Sequence, residues 1–544
     1  MHNALLHFRR RRLECLALLL LFALGAWLRL DRLATTTGFG GDQGEYSLAV
    51  MRWVKLGQWP MLGQHRAGTD DYNLSPGFFY TIAPALLAGR FHPAAGAALQ
   101  VLVVLAGYAL AWHWLRRRMR RGWPALLAIS ILLLAPENIS LSRNLWNPCF
   151  LLFGLCALVW LMGQVPRHTA AALAGLLCLA AWLPGMHTTA YVQLGVAVPF
   201  GLYLLQRWQG RLRRTRRGVL LRWGLVVLMV WVALYLPPLL YELRGHPGTL
   251  ATYLRNTLLA NPPSAYSLGW RLHFVLNFMD HLYFVHFFRW PTGDVTPGRW
   301  SLSLAWLVLV GWMLWRRRKS FRHDPSPLYL AAAMLGYYLM QLRAAEYYQT
   351  YFLTGILPAP VLLAGWAVGQ AERLHTRRRL GARAWYAVLL LALALLIPAA
   401  RLWPQSLVLP RRLEADVSKT GRLVERIRAV ADGRPYSLAL LQPINYRDYL
   451  HALLWRAGAP PLNAEFPRKT IYEAEFGQQV IIVVRGAARG YQFSARGLSP
   501  SQFRQETFGD DILLCLDRTA LPPHFALLRV ECDFEHETNL IELE

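Results

Sequence analysis

The chain has 544 residues, 55% hydrophobic and 16% charged, with a net charge of +27. A mean hydropathy of +0.25 excludes an ordinary soluble protein of this length, whose polar surface would hold the average below zero. Nucleic-acid binding is excluded by where the 58 basic residues fall: in short bursts between apolar runs, as the positive-inside rule expects.

Arg9 to Arg12 precede the apolar run 13–30. That run is long for a signal h-region and has no small-residue cleavage site, so it reads as an uncleaved first span. Further runs at 95–115, 123–136, 148–163, 170–184, 190–206, 219–238, 300–315, 327–342, 350–369 and 384–400 give about eleven spans. Between them lie basic bursts at Arg116 to Arg121, Arg207 to Arg217, Arg316 to Arg322 and Arg373 to Arg383. With Arg9 to Arg12 these all fall on the cytoplasmic side, provided that 77–89, GFFYTIAPALLAG, does not cross. That stretch is therefore expected to be an interfacial or re-entrant helix on the outer side.

Three large segments are then expected to face outward. The first is 31–94. The second, 241–299, is rich in aromatics such as Trp270, Phe287 and Trp290. The third is the tail after Arg401, which reads as α/β: a helix around 415–431, the strand SLALL (437–441), a helix around 447–457 and the strand VIIVV (480–484). The expected domains are a membrane part, 1–400, and a soluble outer part, 401–544. Cys15, Cys149, Cys156 and Cys178 read as small hydrophobes. Cys515 and Cys532 share the tail, and a disulfide between them is open to an outer domain.

The first outer segment holds GDQGEY, with Asp42 and Glu45 three residues apart. If a helix opens there, both carboxylates lie on one face. The plainer alternative is a solvated loop, or Asp42 as a helix N-cap. Tyr46, Arg52, Lys55, His65, Arg66, Asp70 and Asp71 follow, then SPGFFY with Tyr80. Mixed charge and aromatics suit a phosphorylated, polyhydroxylated ligand.

Four features carry a resemblance. They are the arginine-rich start and single span leading to GDQGEYSLAV (41–50); SPGFFY (75–80); SRNLWNP (142–148); and smaller marks at Met186-His187, LPPLLYEL (236–243) and EYYQTYFLTGILPAP (346–360). Together, over most of 1–400 with a weaker echo in the tail, the sequence resembles bacterial membrane glycosyltransferases of the GT-C fold. Within these it is similar to the dolichyl-phosphate-mannose–protein mannosyltransferase-like group that includes the aminoarabinose transferases. Many relatives carry adjacent Asp-Glu, whereas here Gln43 follows Asp42 and the second acid is Glu45.

The resemblance implies a polytopic α-helical GT-C protein with an outer α/β domain in the bacterial cytoplasmic membrane. It implies transfer of a sugar from a polyprenyl-phosphate donor to a hydroxyl on a lipid, glycan or protein. Asp42 is the implied base, with Glu45 beside it. Arg143, Arg52, Arg343, His187 and Asn147 are implied at the donor phosphate or sugar, and Tyr46, Tyr80, Glu242 and Tyr351 at the acceptor pocket. Each has a plain alternative: Arg143 reaching to headgroups, His187 as a hydrogen-bonded interfacial residue, Glu242 capping the next helix. The expected partners are the donor and membrane lipids. No cofactor is obligatory and no structural metal is expected, since the outer histidines lack paired spacing; a divalent ion on the carrier phosphate stays open. The sugar, the acceptor and the oligomeric state are open. A flippase of lipid-linked saccharides is the alternative, although it would want ionisable groups within the spans.

Overall fold

The computed structural model describes residues 2–37, 41–64, 75–244, 248–254, 300–343, 354–377, 380–390, 420–441, 447–459, 461, 472–475, 479–484, 492–496, 503–508, 511–517, 527–533 and 538–543. Their helices begin with α1 (His2–Leu30), α2 (Leu33–Thr36), α3 (Gly41–Leu56), α4 (Gly77–Ala88), α5 (Pro93–Arg117) and α6 (Trp123–Leu134). After these come α7 (Pro136–Arg143), α8 (Phe150–Gln164), α9 (Thr169–Met186), α10 (Ala190–Arg214), α11 (Arg217–Leu243) and α12 (Thr249–Leu254). The helical part ends with α13 (Trp300–Arg316), α14 (Ser326–Arg343), α15 (Pro358–Thr376) and α16 (382–390). The chain divides into two compact units, the first made of Met1–Asp31, Met61–Thr81 and Ala98–Pro410.

Among the described residues, six helices are long and apolar enough to cross a bilayer: Arg12–Leu30, Pro93–Arg117, Asn147–Gln164, Thr169–Met186, Arg217–Leu243 and Thr354–Thr376. Gly77–Ala88, Trp123–Leu134 and Leu307–Arg316 are apolar but shorter. Each expected span falls mainly on a helix where it is described, although 123–136 runs past the end of α6 into the extended Ala135; 350–369 is described from residue 354 and 384–400 only to residue 390. Most of the aromatic segment, 255–299, lies outside the described residues. α11 is apolar all round, and its outward leucines are bare, Leu221 at 75% exposure and Leu239 at 52%. No helix would leave such a surface to water, so this face is built for lipid. α15 is the reverse, buried from Pro358 to Ala371, and lies inside the bundle.

The basic bursts meet at one end of this unit. Arg116 Nε donates to Glu14 at 3.1 Å, close to the Arg9–Arg12 run. Arg118 Nε donates to Asp324 at 2.6 Å, just after the third burst, and Arg121 Nε lies 3.0 Å from Glu372 on α15. Tyr203 near the end of α10 donates to the Arg322 carbonyl at 3.2 Å. Segments far apart in sequence thus share one face, as single-sided placement of the charges requires.

The second unit joins Arg32–Pro60, Ile82–Ala97 and Arg411–Glu544. Its tail contains α17 (420–431), α18 (Arg447–Arg456) and the strands β1 (Tyr436–Leu441), β2 (Tyr472–Glu475), β3 (Gln479–Val484) and β4 (Gln492–Arg496). Strands β5 (Arg504–Phe508), β6 (Asp511–Asp517), β7 (Leu527–Asp533) and β8 (Thr538–Leu543) follow. They form two mixed sheets of four strands, ordered β1-β3-β6-β5 and β2-β7-β8-β4. β1 runs parallel to β3, with Leu438 opposite Ile481. Leu423 and Ile427 of α17 pack on these with Leu513 and Leu454, all at 0% exposure, and this is the core of the tail. Cys515 on β6 is buried with a free thiol; the side chain of Cys532, the other half of the pairing left open, lies outside the described residues.

Candidate functional site

The acidic motif is helical. α3 starts at Gly41, with Asp42 in its first turn, exposed, and Glu45 half-buried three residues on. The spacing sets both carboxylates on one side of the helix, and the first-turn position suits a negative charge beside the helix N-terminus by about 0.3–1 kcal/mol. Tyr46 is 2% exposed and Arg52 half-buried on the same helix. Ser47 Oγ donates to the Gln43 carbonyl at 2.9 Å, which ties off a hydroxyl inside the helix. These four site residues stand on one rigid element of the second unit.

A second group belongs to the first unit, at the end of the bundle away from the basic bursts. Glu14 and Leu28 are fourteen residues apart on α1, about 21 Å at 1.5 Å per residue. At the Leu28 end, Arg143 is fully buried at 0% exposure; its Nη1 donates to the Leu28 carbonyl at 2.8 Å and its Nη2 to that of Asp31 at 2.7 Å. The fork that the sequence reading held out to a lipid phosphate is laid on the last carbonyls of α1, which have no partner within the helix. Burial lowers the pKa of this guanidinium, the Asp31 charge raises it, and it stays protonated.

The Ser-Arg part of SRNLWNP is helical as well. Ala135 is extended at φ −64°, ψ 127°, as a residue before proline prefers, and Pro136 opens α7, which Arg143 ends. Asn147 is 5% exposed and donates to the Met186 carbonyl at 2.6 Å; Gln64 donates to the same oxygen at 3.0 Å. His187, the next residue, is 8% exposed, and its Nδ1 accepts from the Thr189 N–H at 3.3 Å and lies 2.9 Å from the Thr189 hydroxyl. The structure therefore brings Asn147 and His187 together around the end of α9. Close backbone approach fixes this corner: a Cβ on Gly185 would lie 2.9 Å from Ser75 Oγ and 3.3 Å from the Gly77 Cα. That is a physical reason for glycines in both SPG and PGM.

The remaining site residues are dispersed. Tyr80 is half-buried on α4. Glu242, near the end of α11, accepts the Gly248 N–H at 2.5 Å, directly before α12, which is the helix-capping alternative. Arg343 ends α14, and Tyr351 lies outside the described residues. Among the described residues, no three His, Cys, Asp or Glu side chains could share a metal ion.

Two residues escaped the sequence reading. Gln100 of α5, fully buried, donates to the carbonyls of Leu141 at 3.0 Å and Asn144 at 2.6 Å, and its oxygen accepts the Trp146 N–H at 2.7 Å. It holds the backbone between Leu141 and Trp146. A lone glutamine inside the run 95–115 was the available signal. Arg29 is the other: 0% exposed, it donates to the carbonyls of Gly25 at 2.9 Å and Leu133 at 2.7 Å, joining α1 to the end of α6.

No protein-family model matches the chain, and no curated protein does. Among solved structures, it is similar to ArnT from Cupriavidus metallidurans bound to undecaprenyl phosphate, at a TM-score of 0.53 and 13% identity, over 93% of this chain and 99% of that one. The chain has the GT-C fold. It is a polytopic membrane protein of that fold, as the motif order implied. Archaeal oligosaccharyltransferase AglB from Archaeoglobus fulgidus, in complex with an inhibitory peptide and a dolichol-phosphate, aligns over 97% of this chain and 77% of its own at 10% identity and a TM-score of 0.48. The two groups of site residues thus stand on a GT-C bundle and on an α/β unit that includes the first-loop helix.

Proposed function

We propose that this GT-C protein transfers a sugar from a polyprenyl-phosphate donor to a hydroxyl acceptor. The observation that carries the reading is the acidic pair of α3, an exposed Asp42 with Glu45 on the same side, in a chain that shares its fold with a protein solved with undecaprenyl phosphate bound. An acceptor hydroxyl is a weak nucleophile, so the Asp42 carboxylate takes its proton as its oxygen bonds to the sugar C1. The C1–O bond to phosphate breaks with its electron pair on the lipid phosphate, which leaves with inversion at C1. Glu45 orients Asp42 or binds the sugar. Asn147 and His187 take polar contacts of the donor, and Arg52, on the helix of the acids, faces its growing negative charge. Arg143 acts one step back, by fixing the point where the chain leaves α1.

The acids and the tail belong on the outer face of a bacterial cytoplasmic membrane, because with the basic bursts on the cytoplasmic side the order of the spans leaves 31–94 and the segment after Arg401 outside. Sugar transfer by purified variants in lipid, with donor binding followed separately, tests the reading. Asp42→Asn should lose about 10²–10⁴ in rate with donor binding kept, and Glu45→Gln should lose less. An active Asp42→Asn beside a dead Glu45→Gln reverses the two roles. Normal transfer by both removes this helix from the chemistry.

A further inference from the structure

α18 has two faces. Leu454 lies at 0% exposure in the tail core with Leu438 and Ile481. Ala452 and Trp455, at 1% and 8%, pack instead on Leu48 and Met51 of α3, with Phe91 against the same cluster. Lys55, one turn further along α3, holds its ammonium 5.6 Å from the ring centre of Trp455 and 5.6 Å from that of Phe91. Phe91 and its neighbour Arg90 both have left-handed backbone, φ 61° and 50°, which residues with a side chain keep only when their surroundings impose it. The far end of α18 is itself fixed: the Ala459 N–H reaches back to the Leu454 carbonyl at 3.0 Å, Gly458 takes φ 79°, and the Tyr436 hydroxyl donates to the Ala459 carbonyl at 2.7 Å.

We propose that Trp455 is a positioning residue for the transfer reaction, through which the C-terminal domain holds the acidic helix α3 in its working orientation. The inference rests on the reading of Asp42 and Glu45 as the reacting acids. Leu48 and Met51 lie six and nine residues beyond Asp42, so the bracket grips α3 about 9–14 Å from the carboxylate. A small tilt there moves the carboxylate by an ångström, and such a displacement costs on the order of 10²-fold in rate. The tail is thereby part of the catalytic apparatus without touching substrate.

The test uses the full chain in lipid, with a polyprenyl-phosphate sugar as donor. Trp455→Ala should lower kcat by about 10–100-fold, with KM for the donor and the number of donor sites per protein unchanged. Trp455→Phe, which keeps an aromatic face for Lys55 and Met51, should recover to within a few-fold of wild type. In an Asp42→Asn background, Trp455→Ala should cost nothing more, because both changes act through one carboxylate. A wild-type kcat in Trp455→Ala, or an equal further loss in the Asp42→Asn background, overturns the inference while leaving the acid assignment intact. A fully active Asp42→Asn overturns that assignment and this inference with it. If Trp455→Ala does not insert, Ala452→Leu widens the same seam and must show the same loss confined to kcat.

Discussion

A guanidinium carries five N–H donors in a rigid fork, and Arg143 turns that fork inward. Its two described bonds go to carbonyls at the end of α1, each worth about 1.5–3 kcal/mol because the donor is charged. Arg143→Ala should therefore lower the unfolding temperature of the purified protein markedly. Arg143→Lys, a point charge unable to span both oxygens, should fall between it and wild type. A loss of donor affinity in Arg143→Lys with an unchanged unfolding temperature would instead return this arginine to the phosphate. Sequence could place Arg143 in a signature but not choose its acceptor. Leu28 lies 115 positions away, and an arginine reads alike whether it faces a phosphate or a carbonyl. Asn147 and His187 entered through the resemblance alone, on SRNLWNP and Met186-His187, and packing brings them together at the end of α9. Gln64, which shares the Met186 carbonyl with Asn147, lies in none of these motifs.

At the scale of elements, the helices were legible because apolar runs of span length have few alternatives in a bilayer. The tail strands SLALL and VIIVV were legible for a similar reason, being buried and β-branched or leucine-rich. β5, RQETF, was not: it is a polar strand at a sheet edge with no apolar alternation. The corner between α4 and α5 carries a pH dependence. His92 Nδ1 accepts the Ala94 N–H at 3.2 Å at the start of α5, which only an unprotonated nitrogen can do. Burial, and then the Arg456 charge, lower its pKa from 6.5. Between that lowered value and 6.5 the unfolded chain binds a proton that the folded chain does not, so stability is full above the window and falls as pH drops through it. Thermal unfolding at about pH 7.5 and pH 5.5, chosen to bracket a histidine titration, should show wild type losing more on acidification than His92→Asn. Equal losses would remove His92 from the account.

For the whole molecule, the gathering of the arginine bursts at one end makes sidedness testable. A reporter active only outside the cytoplasm should give signal when fused after residue 401 and none when fused near Arg118 or Arg213; a silent tail fusion would invert the orientation. What the sequence could not show was the division into units, since Asp42 and the tail are separated by most of the chain and share no motif. Only packing joins α3 to α18. The central claim is that a sugar–phosphate bond is broken, and a flippase with the same fold would move the donor intact. Purified protein in vesicles, given a panel of radiolabelled polyprenyl-phosphate sugars and an extract of membrane acceptors, decides between them. If the protein is a transferase, one donor yields labelled acceptor and an equal amount of free polyprenyl phosphate, and Asp42→Asn abolishes both. Donor that crosses between leaflets with its sugar still attached, equally well in Asp42→Asn, would contradict that claim.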